Sequence, residues 1–254
     1  MRSILSISLI VCSLQLSAQS GIEAFYAGNS AYNEGRYQDA IQLYESILDA
    51  DLHSAELYFN LGNCYYKTNQ VAPSIFYYEK ALQLDPKDAD IQNNLAFAQN
   101  MTIDAIDTVP EIGISKVYSS IVESFSYDTW AILAVTLMLL FVLLFLMYYF
   151  SVSTNKKRFL FLGSFVSLAL SLCVLTFAFQ RFDSEKRDNP AIVFAQESEV
   201  RSDPNLRSEI VFNLHEGTKI QVLEAYDENW YKIRLSDGKT GWISIEDIKL
   251  LNVF

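Results

Sequence analysis

The chain has 254 residues, three cysteines, two histidines and a formal net charge of −11 at pH 7. Residues 19–128 hold much of that charge, with 16 acidic and 5 basic side chains. Strong acidity disfavours binding to nucleic acids and to anionic lipid surfaces. The sequence therefore predicts no nucleic-acid partner.

Residues 1–18 are typical of a secretory signal peptide. Arg2 precedes a short apolar run, which ends in small residues at Ala18. The run is too short to cross a bilayer as a helix. We expect cleavage near Ala18 and export of the remaining chain.

Residues 19–103 contain an internal repeat. The segment that begins at Ala27 aligns without a gap with the segment that begins at Leu61. The matched residues are Gly28 with Gly62, Asn29 with Asn63, Tyr32 with Tyr66, Ile41 with Ile75, and Tyr44 with Tyr78. A period of about 34 residues with this pattern resembles the tetratricopeptide repeat, a helix–turn–helix unit that stacks into an all-α solenoid. A third segment from Ala89 adds the first helix of a further unit, which gives about two and a half repeats.

Cys64 lies within the repeat, at a position that Ser30 occupies in the first copy. Because the position takes a small side chain, we predict a packing residue rather than a reactive thiol. Cys12 lies in the signal peptide and Cys173 in an apolar stretch. No disulfide is expected in the mature chain.

Residues on the first helix of each repeat share one face by their spacing. In tetratricopeptide repeats this face lines a groove that binds peptides, so the resemblance implies a partner-binding site. The predicted groove residues are Phe25, Asn29, Tyr32, Phe59, Asn63, Tyr66 and Lys67. Asparagine amides would bond a peptide backbone, aromatic rings would add contact area, and Asn93 and Phe97 would extend the surface. The alternative is that these side chains only cover neighbouring helices.

Residues 104–128 combine a polar linker with an amphipathic segment. Apolar residues at 114, 117, 118, 121, 122 and 125 recur at helical spacing. The pattern predicts a helix on the membrane surface, with a partner-binding helix as the alternative.

Two apolar stretches, residues 129–150 and 159–179, contain no charged side chain. Each is long enough to cross a hydrocarbon core of about 30 Å. The turn between them, residues 151–158, holds Lys156, Lys157 and Arg158 and no acid, which predicts a cytoplasmic location. Both flanking regions would then lie on the periplasmic side of a bacterial inner membrane.

Gly163, Ser167 and Ser171 recur every fourth residue along the second apolar stretch. Small residues at this spacing allow two membrane helices to approach closely. We predict that the stripe packs on the first span or on another membrane protein.

The chain continues through a predicted linker, residues 180–190, into a β-rich module at 191–254. Apolar and polar residues alternate along it, and Asp237–Gly238 marks a hairpin turn. The order of Pro204, Gly217, Trp230-Tyr231 and Gly241-Trp242 resembles the bacterial SH3-type barrel. The resemblance implies an all-β barrel that binds peptides or cell-wall glycan or serves only as a scaffold, with Trp230 and Tyr231 as candidate surface residues.

Nothing in the sequence indicates catalysis. His215 and His53 are the only histidines, and no spacing of metal ligands accompanies them. We predict a protein that is not an enzyme and that needs neither a metal nor a cofactor.

The chain is thus predicted to be multidomain, with repeats, two membrane helices and an SH3-type barrel in that order. This order of segments resembles the BatE proteins of the Bacteroides aerotolerance (Bat) operon. The resemblance implies an inner-membrane adaptor that works beside von Willebrand A-domain Bat proteins and, indirectly, a MoxR-type ATPase. Its implied role is aerotolerance or resistance to envelope stress. A second class stays open: a cell-wall-binding sensor in which the barrel recognises peptidoglycan.

Overall fold

A computed structural model describes residues 21–106 and 113–251, except for the side chain of Ser115. The predicted signal peptide and Cys12 therefore lie outside the described residues. The chain forms two compact units. Within the described residues, the first combines 21–106 with 189–251, and the second is 113–188. The second unit is thus an insertion between two parts of the first.

The described part of the first unit begins with five helices, two helical pairs and a single fifth helix. They are α1 (residues 21–33), α2 (Tyr37–Asp49), α3 (Ala55–Lys67), α4 (Val71–Leu84) and α5 (Ala89–Gln99). The turns that end α1 and α3 use left-handed backbone at Gly35 and Asn69, which are equivalent positions of the two repeats. Ser54 begins α3 by accepting a hydrogen bond from the Leu57 amide, since its side chain caps an otherwise unpaired N–H.

Close packing within each repeat depends on a glycine. A methyl group at Gly62 would lie 2.6 Å from the Tyr78 ring, and one at Gly28 would lie 2.5 Å from the Tyr44 ring. These contacts are equivalent in the two repeats, so the same Gly–Tyr pair allows the two helices of each repeat to pack closely. Cys64 is fully buried in the core that surrounds it. The prediction of a packing residue agrees with this location.

The same unit ends in a seven-stranded antiparallel sheet in the order β3-β2-β6-β5-β4-β1-β7. The strands are β1 (Pro190–Val193), β2 (Glu197–Arg201), β3 (Ile210–His215), β4 (Lys219–Tyr226), β5 (Trp230–Arg234), β6 (Thr240–Ser244) and β7 (Ile248–Leu250). The predicted turn at Asp237–Gly238 joins β5 and β6, with Gly238 at φ +89°. In the described residues β3 and β7 do not pair with each other, so the antiparallel sheet is observed while barrel closure stays a prediction.

The sheet packs directly on the helices. Ile192 and Leu251 are fully buried in the same core as residues of α3, α4 and α5. The Phe194 ring lies 5.6 Å from the Phe76 ring, edge to face. Gly217 approaches Val71 and other residues so closely that an added methyl group would be within 3.0 Å of three side chains. The helical and β parts of this unit therefore fold on one another.

Residues 113–188, the described part of the second unit, form three helices: α6 (Ile114–Glu123), α7 (Tyr127–Phe150) and α8 (Thr154–Arg187). By length and composition, α7 and α8 are both able to cross a membrane. The helix α8 is longer than the apolar pattern predicted, because residues 154–158 of the predicted turn and 180–187 of the predicted linker are helical. The extension lacks glycine and proline, and ion pairs one turn apart support it at Arg181–Glu185 and Arg187–Asp183.

The segment predicted to be amphipathic contains the helix α6, and its location on a membrane surface stays a prediction. Most of its apolar side chains are exposed, including Ile114 at 89% and Val117 at 61%. Val122 is instead buried, and its carbonyl accepts a hydrogen bond of 3.0 Å from the Trp130 indole at the start of α7. Tyr118 also reaches α8, where its hydroxyl donates to Gln180.

Candidate partner-binding sites

The two groove asparagines occupy equivalent positions in a repeated hydrogen-bond network. The side-chain carbonyl of Asn29 accepts from the Tyr44 hydroxyl at 2.6 Å and from the Asn60 amide at 3.0 Å. The Asn63 carbonyl accepts from the Tyr78 hydroxyl at 2.7 Å and, in the same way, from Asn94. The network therefore links the first helix of each repeat to the first helix of the next.

The two polar groups of each asparagine side chain have different roles. Its carbonyl is committed to internal packing, whereas its NH₂ group forms no hydrogen bond within the described residues of the chain. Asn29 and Asn63 are only half-buried, so these NH₂ groups are available to a peptide carbonyl. Burial raises the pKa of Tyr44 and Tyr78, which keeps both hydroxyls neutral and able to donate.

The predicted groove aromatics mostly belong to the helix packing. Phe25 lies against Tyr44 and Phe59 against Tyr78, each with ring centroids 5.9 Å apart. The Tyr32 ring packs edge to face on Tyr37. All of these predicted rings are half-buried, so each also leaves part of its surface open.

Exposed groups of the same surface lie on α3 and α5. Tyr66 is half-buried and Lys67 is exposed in the last turn of α3. Asn93 and Phe97 stand one repeat after Phe59 and Asn63, and Phe97 is 60% exposed. We call the surface of Asn29, Asn63, Tyr66, Lys67, Asn93 and Phe97 the first-helix face. Sequence reasoning missed Asn60 and Asn94, although both are asparagine at equivalent positions of successive repeats.

Cys64 does not contribute chemistry to this face. Burial raises the pKa of its thiol to about 12, so the reactive thiolate is scarce at neutral pH.

The predicted stripe on α8 packs on α7. The Ser167 hydroxyl donates to the Leu137 carbonyl at 2.7 Å, and the Ser171 hydroxyl donates to the Ala134 carbonyl at 2.8 Å. At Gly163 an added methyl group would make only an ordinary contact, 3.7 Å from the Leu144 side chain, so this position does not require glycine. Ser167 and Ser171 thus join the two apolar helices to each other.

A second candidate site is a cleft of about 390 Å³ on the β-sheet. It is lined by Glu197, Ser198, Glu199, Arg201, Leu206, Trp230, Ser244 and Asp247. Trp230 borders this cleft, whereas Tyr231 packs half-buried on the sheet core. Of the two predicted surface residues, Trp230 is therefore the one placed at a concave site.

The charges of this cleft are unequal. Its single cation, Arg201, donates to the carbonyls of Leu206 and Ser208 and to the Glu199 carboxylate. Three carboxylates line the same space, so the cleft as a whole is acidic. Such a site favours ligands that carry amino groups beside an apolar surface that can contact an indole.

One further cluster holds the sheet on the helical part. The Asp104 carboxylate accepts from the His215 amide and the His215 ring, each at 2.7 Å, and from the Thr218 hydroxyl at 2.6 Å. Burial alone would raise the pKa of Asp104, but these hydrogen bonds outweigh it and lower the pKa. The bond to Asp104 raises the pKa of His215. Nearby, Lys219 pairs with Glu79 of α4 at 2.7 Å.

Comparison with known families identifies both parts of this unit. Residues 55–88 match the tetratricopeptide repeat. Residues 198–249 match the bacterial SH3 domain. No curated protein matches the chain. A solved structure of an NlpC/P60 family protein from Bacillus cereus is 15% identical with a TM-score of 0.21, over 28% of this chain and 23% of that one.

Both domain resemblances are therefore confirmed. A tetratricopeptide repeat followed by a bacterial SH3 domain indicates a role in protein interaction or in cell-wall binding. The two apolar helices between them are compatible with a membrane protein.

Proposed function

We propose that the protein is a membrane-tethered adaptor that binds segments of partner proteins along its first-helix face. The observation that carries the proposal is the repeated asparagine–tyrosine network. In this network the side-chain carbonyls of Asn29 and Asn63 accept hydrogen bonds from other residues of the repeats. Their NH₂ groups remain available and are separated by one repeat. An extended peptide has carbonyl groups that can accept from both. The proposal includes no catalytic activity.

The insertion of the hairpin into the first unit supports a two-pass topology. The chain leaves this unit before α6 and re-enters it after α8, and the two parts share a core that contains Ile192 and Leu251. Parts of a chain that share a buried core lie on the same side of a bilayer, which favours an even number of crossings. Lys156, Lys157 and Arg158 then favour a cytoplasmic turn and a periplasmic first unit.

The resemblance to BatE proteins supplies a more specific form of the proposal. In that form the partners are von Willebrand A-domain Bat proteins, with a MoxR-type ATPase as an indirect partner, and the role concerns aerotolerance or envelope stress. The acidic surface of the repeats, with Lys67 as a nearby cation, suits partners of mixed or basic charge.

Co-purification of the full chain from gently solubilised membranes tests the adaptor function. The informative variant is Lys67→Ala/Phe97→Ala, because both side chains are exposed and neither belongs to the internal network. The matched control is Gln42→Ala/Gln83→Ala, which changes exposed residues on the second helices α2 and α4. We expect partner proteins to be lost from the first variant alone. Equal recovery from both variants would contradict binding at the first-helix face.

The acidic cleft beside Trp230 favours a second candidate function, binding to peptidoglycan, whose peptide stems carry amino groups. The SH3 domain shares its core with the helices, so the full chain in detergent is the suitable material. Sedimentation with purified cell wall should be lost in Trp230→Ala and kept in Tyr226→Ala, an exposed aromatic outside the cleft. Absence of sedimentation in the native protein would remove this candidate.

A further inference from the structure

An apolar cleft lies in the first of the described repeats, and its lining contains no residue of the first-helix face. It has a volume of about 350 Å³ and is bounded by the start of α1, the end of α2 and the loop into α3. Its lining residues are Gly21, Ile22, Phe25, Tyr26, Ile47, Leu52, His53, Ser54 and Leu57. We call it the end cleft.

The surface of the end cleft is unusual for the first repeat of a solenoid. Terminal repeats normally turn a polar face to the solvent, because no further repeat covers them. Here Ile22 is 59% exposed and Tyr26 is 68% exposed, while Ile47 and Leu57 form a buried floor. Large apolar side chains around a concave floor are typical of a surface that binds another protein.

The charges near the end cleft indicate what kind of protein segment fits. Residues 21–57 contain seven acidic side chains, one arginine and one histidine, His53, whose ring lies 3.2 Å from the Asp51 carboxylate. The arginine, Arg36, lies at the turn between α1 and α2, at the opposite end of α1, and pairs there with Glu34 and Asp39. Four carboxylates within two residues of a lining residue are exposed: Glu23, Asp49, Asp51 and Glu56.

This distribution separates two possible occupants. A second copy of the chain, docked end to end, would bring two sets of these carboxylates together, and juxtaposed like charges disfavour association. A segment with apolar side chains and flanking lysine or arginine would satisfy both the cleft and its acidic surroundings. A helix is the compact way to present such side chains on one face.

We propose that the end cleft binds an amphipathic helix of a partner protein, with its apolar side chains in the cleft and its basic residues beside Asp49, Asp51 and Glu56. Phe25 of the predicted groove lines the end cleft, but no residue of the first-helix face does, so the protein would hold two partner segments at once.

Fluorescence anisotropy of a labelled helical peptide of leucine and lysine tests the proposal, with the full chain in neutral detergent and empty micelles as the blank. Ile22→Ser/Tyr26→Ser removes apolar surface without entering the core, and it should weaken binding by roughly tenfold. Asp51→Asn/Glu56→Gln should weaken it by about two- to fivefold. Glu34→Gln/Asp39→Asn makes the same change in net charge at the far end of the repeat and should have no effect.

Several results would overturn the proposal. Binding that is unchanged in Ile22→Ser/Tyr26→Ser would place the peptide elsewhere. Equal weakening by the two charge pairs would indicate attraction to the acidic chain in general. Equal affinity for a leucine–glutamate peptide of the same pattern would exclude a basic partner. A dimer in sedimentation velocity that Ile22→Ser/Tyr26→Ser abolishes would make a second copy the occupant.

Discussion

Asp104 provides the sharpest test of how the SH3 domain is held on the repeats. Replacing it with alanine removes one carboxylate that accepts hydrogen bonds from the His215 amide, the His215 ring and the Thr218 hydroxyl. Thr218 is buried, so its hydroxyl would lose its partner in a place that water reaches poorly. The His215 ring is about a quarter exposed and can regain a partner from solvent.

The expected cost follows from this difference in exposure. A buried donor left without an acceptor costs about 1–3 kcal/mol, and a hydrogen bond to a charged group contributes about 1.5–3 kcal/mol. Allowing for hydration of the exposed ring, Asp104→Ala should lower the free energy of unfolding by about 2–4 kcal/mol. Asp104→Asn keeps one acceptor oxygen in place and should cost roughly half as much.

Two measurements on the full chain in detergent check this expectation. Guanidinium unfolding followed by tryptophan fluorescence gives the free energy, and hydrogen exchange across residues 210–220 reports on the amide of His215 directly. Glu228→Ala, which removes an exposed carboxylate from the β4–β5 turn, is the control. A loss below about 0.5 kcal/mol for Asp104→Ala, within the range of ordinary surface substitutions, would refute the view that this contact holds the domain.

Three further predictions follow from packing and protonation. Gly62→Ala places a methyl group 2.6 Å from the Tyr78 ring and should cost about 1–3 kcal/mol in the same unfolding assay; an unchanged midpoint would contradict this packing. The raised pKa of His215 means that its contribution to stability is complete below its ordinary pKa of 6.5 and is lost as the pH rises through the raised value. Asp104, whose pKa is lowered, stays ionised over that range, so native stability should fall above pH 6.5 more steeply than in His215→Gln; parallel pH profiles would argue against the pair. Cys64 should resist maleimide at pH 7 until the chain unfolds, as mass spectrometry can check, whereas rapid labelling of the folded chain would show that the thiol is accessible.

The repeats were largely predictable because their contacts are periodic. One constant offset pairs Gly28 with Gly62 and Tyr44 with Tyr78, and the structure uses both pairs in the same close contact. The turn at Asp237–Gly238 was also predictable, because it depends on a local feature, a glycine with positive φ.

The contact between the repeats and the SH3 domain was not predictable in the same way. Asp104 and His215 are far apart in the sequence and belong to no repeated pattern. Sequence reasoning treated His215 as an isolated histidine, because the carboxylate that binds it lies beyond the inserted hairpin. Pairing at this range depends on tertiary packing.

The candidate site was predicted in position but only partly in role. Asn29 and Asn63 were selected for their place on a helix face, yet their carbonyls serve the internal network. The length of α8 was also underestimated, since the apolar pattern ends before the charged residues that extend the helix to Arg187. In both cases the structure depends on pairs of side chains, between helices for the asparagines and along one helix for α8. A hydropathy pattern does not predict such pairs.

Photo-crosslinking in intact membranes tests the adaptor function most directly. A benzoylphenylalanine residue in place of Phe97 lies on the first-helix face, and one in place of Gln83 lies on α4 as the control. Irradiation should join the first variant to discrete partner proteins, and excess leucine–lysine peptide directed at the end cleft should leave those products intact. Crosslinked products of equal yield from both positions, or none from position 97, would contradict partner binding at the first-helix face.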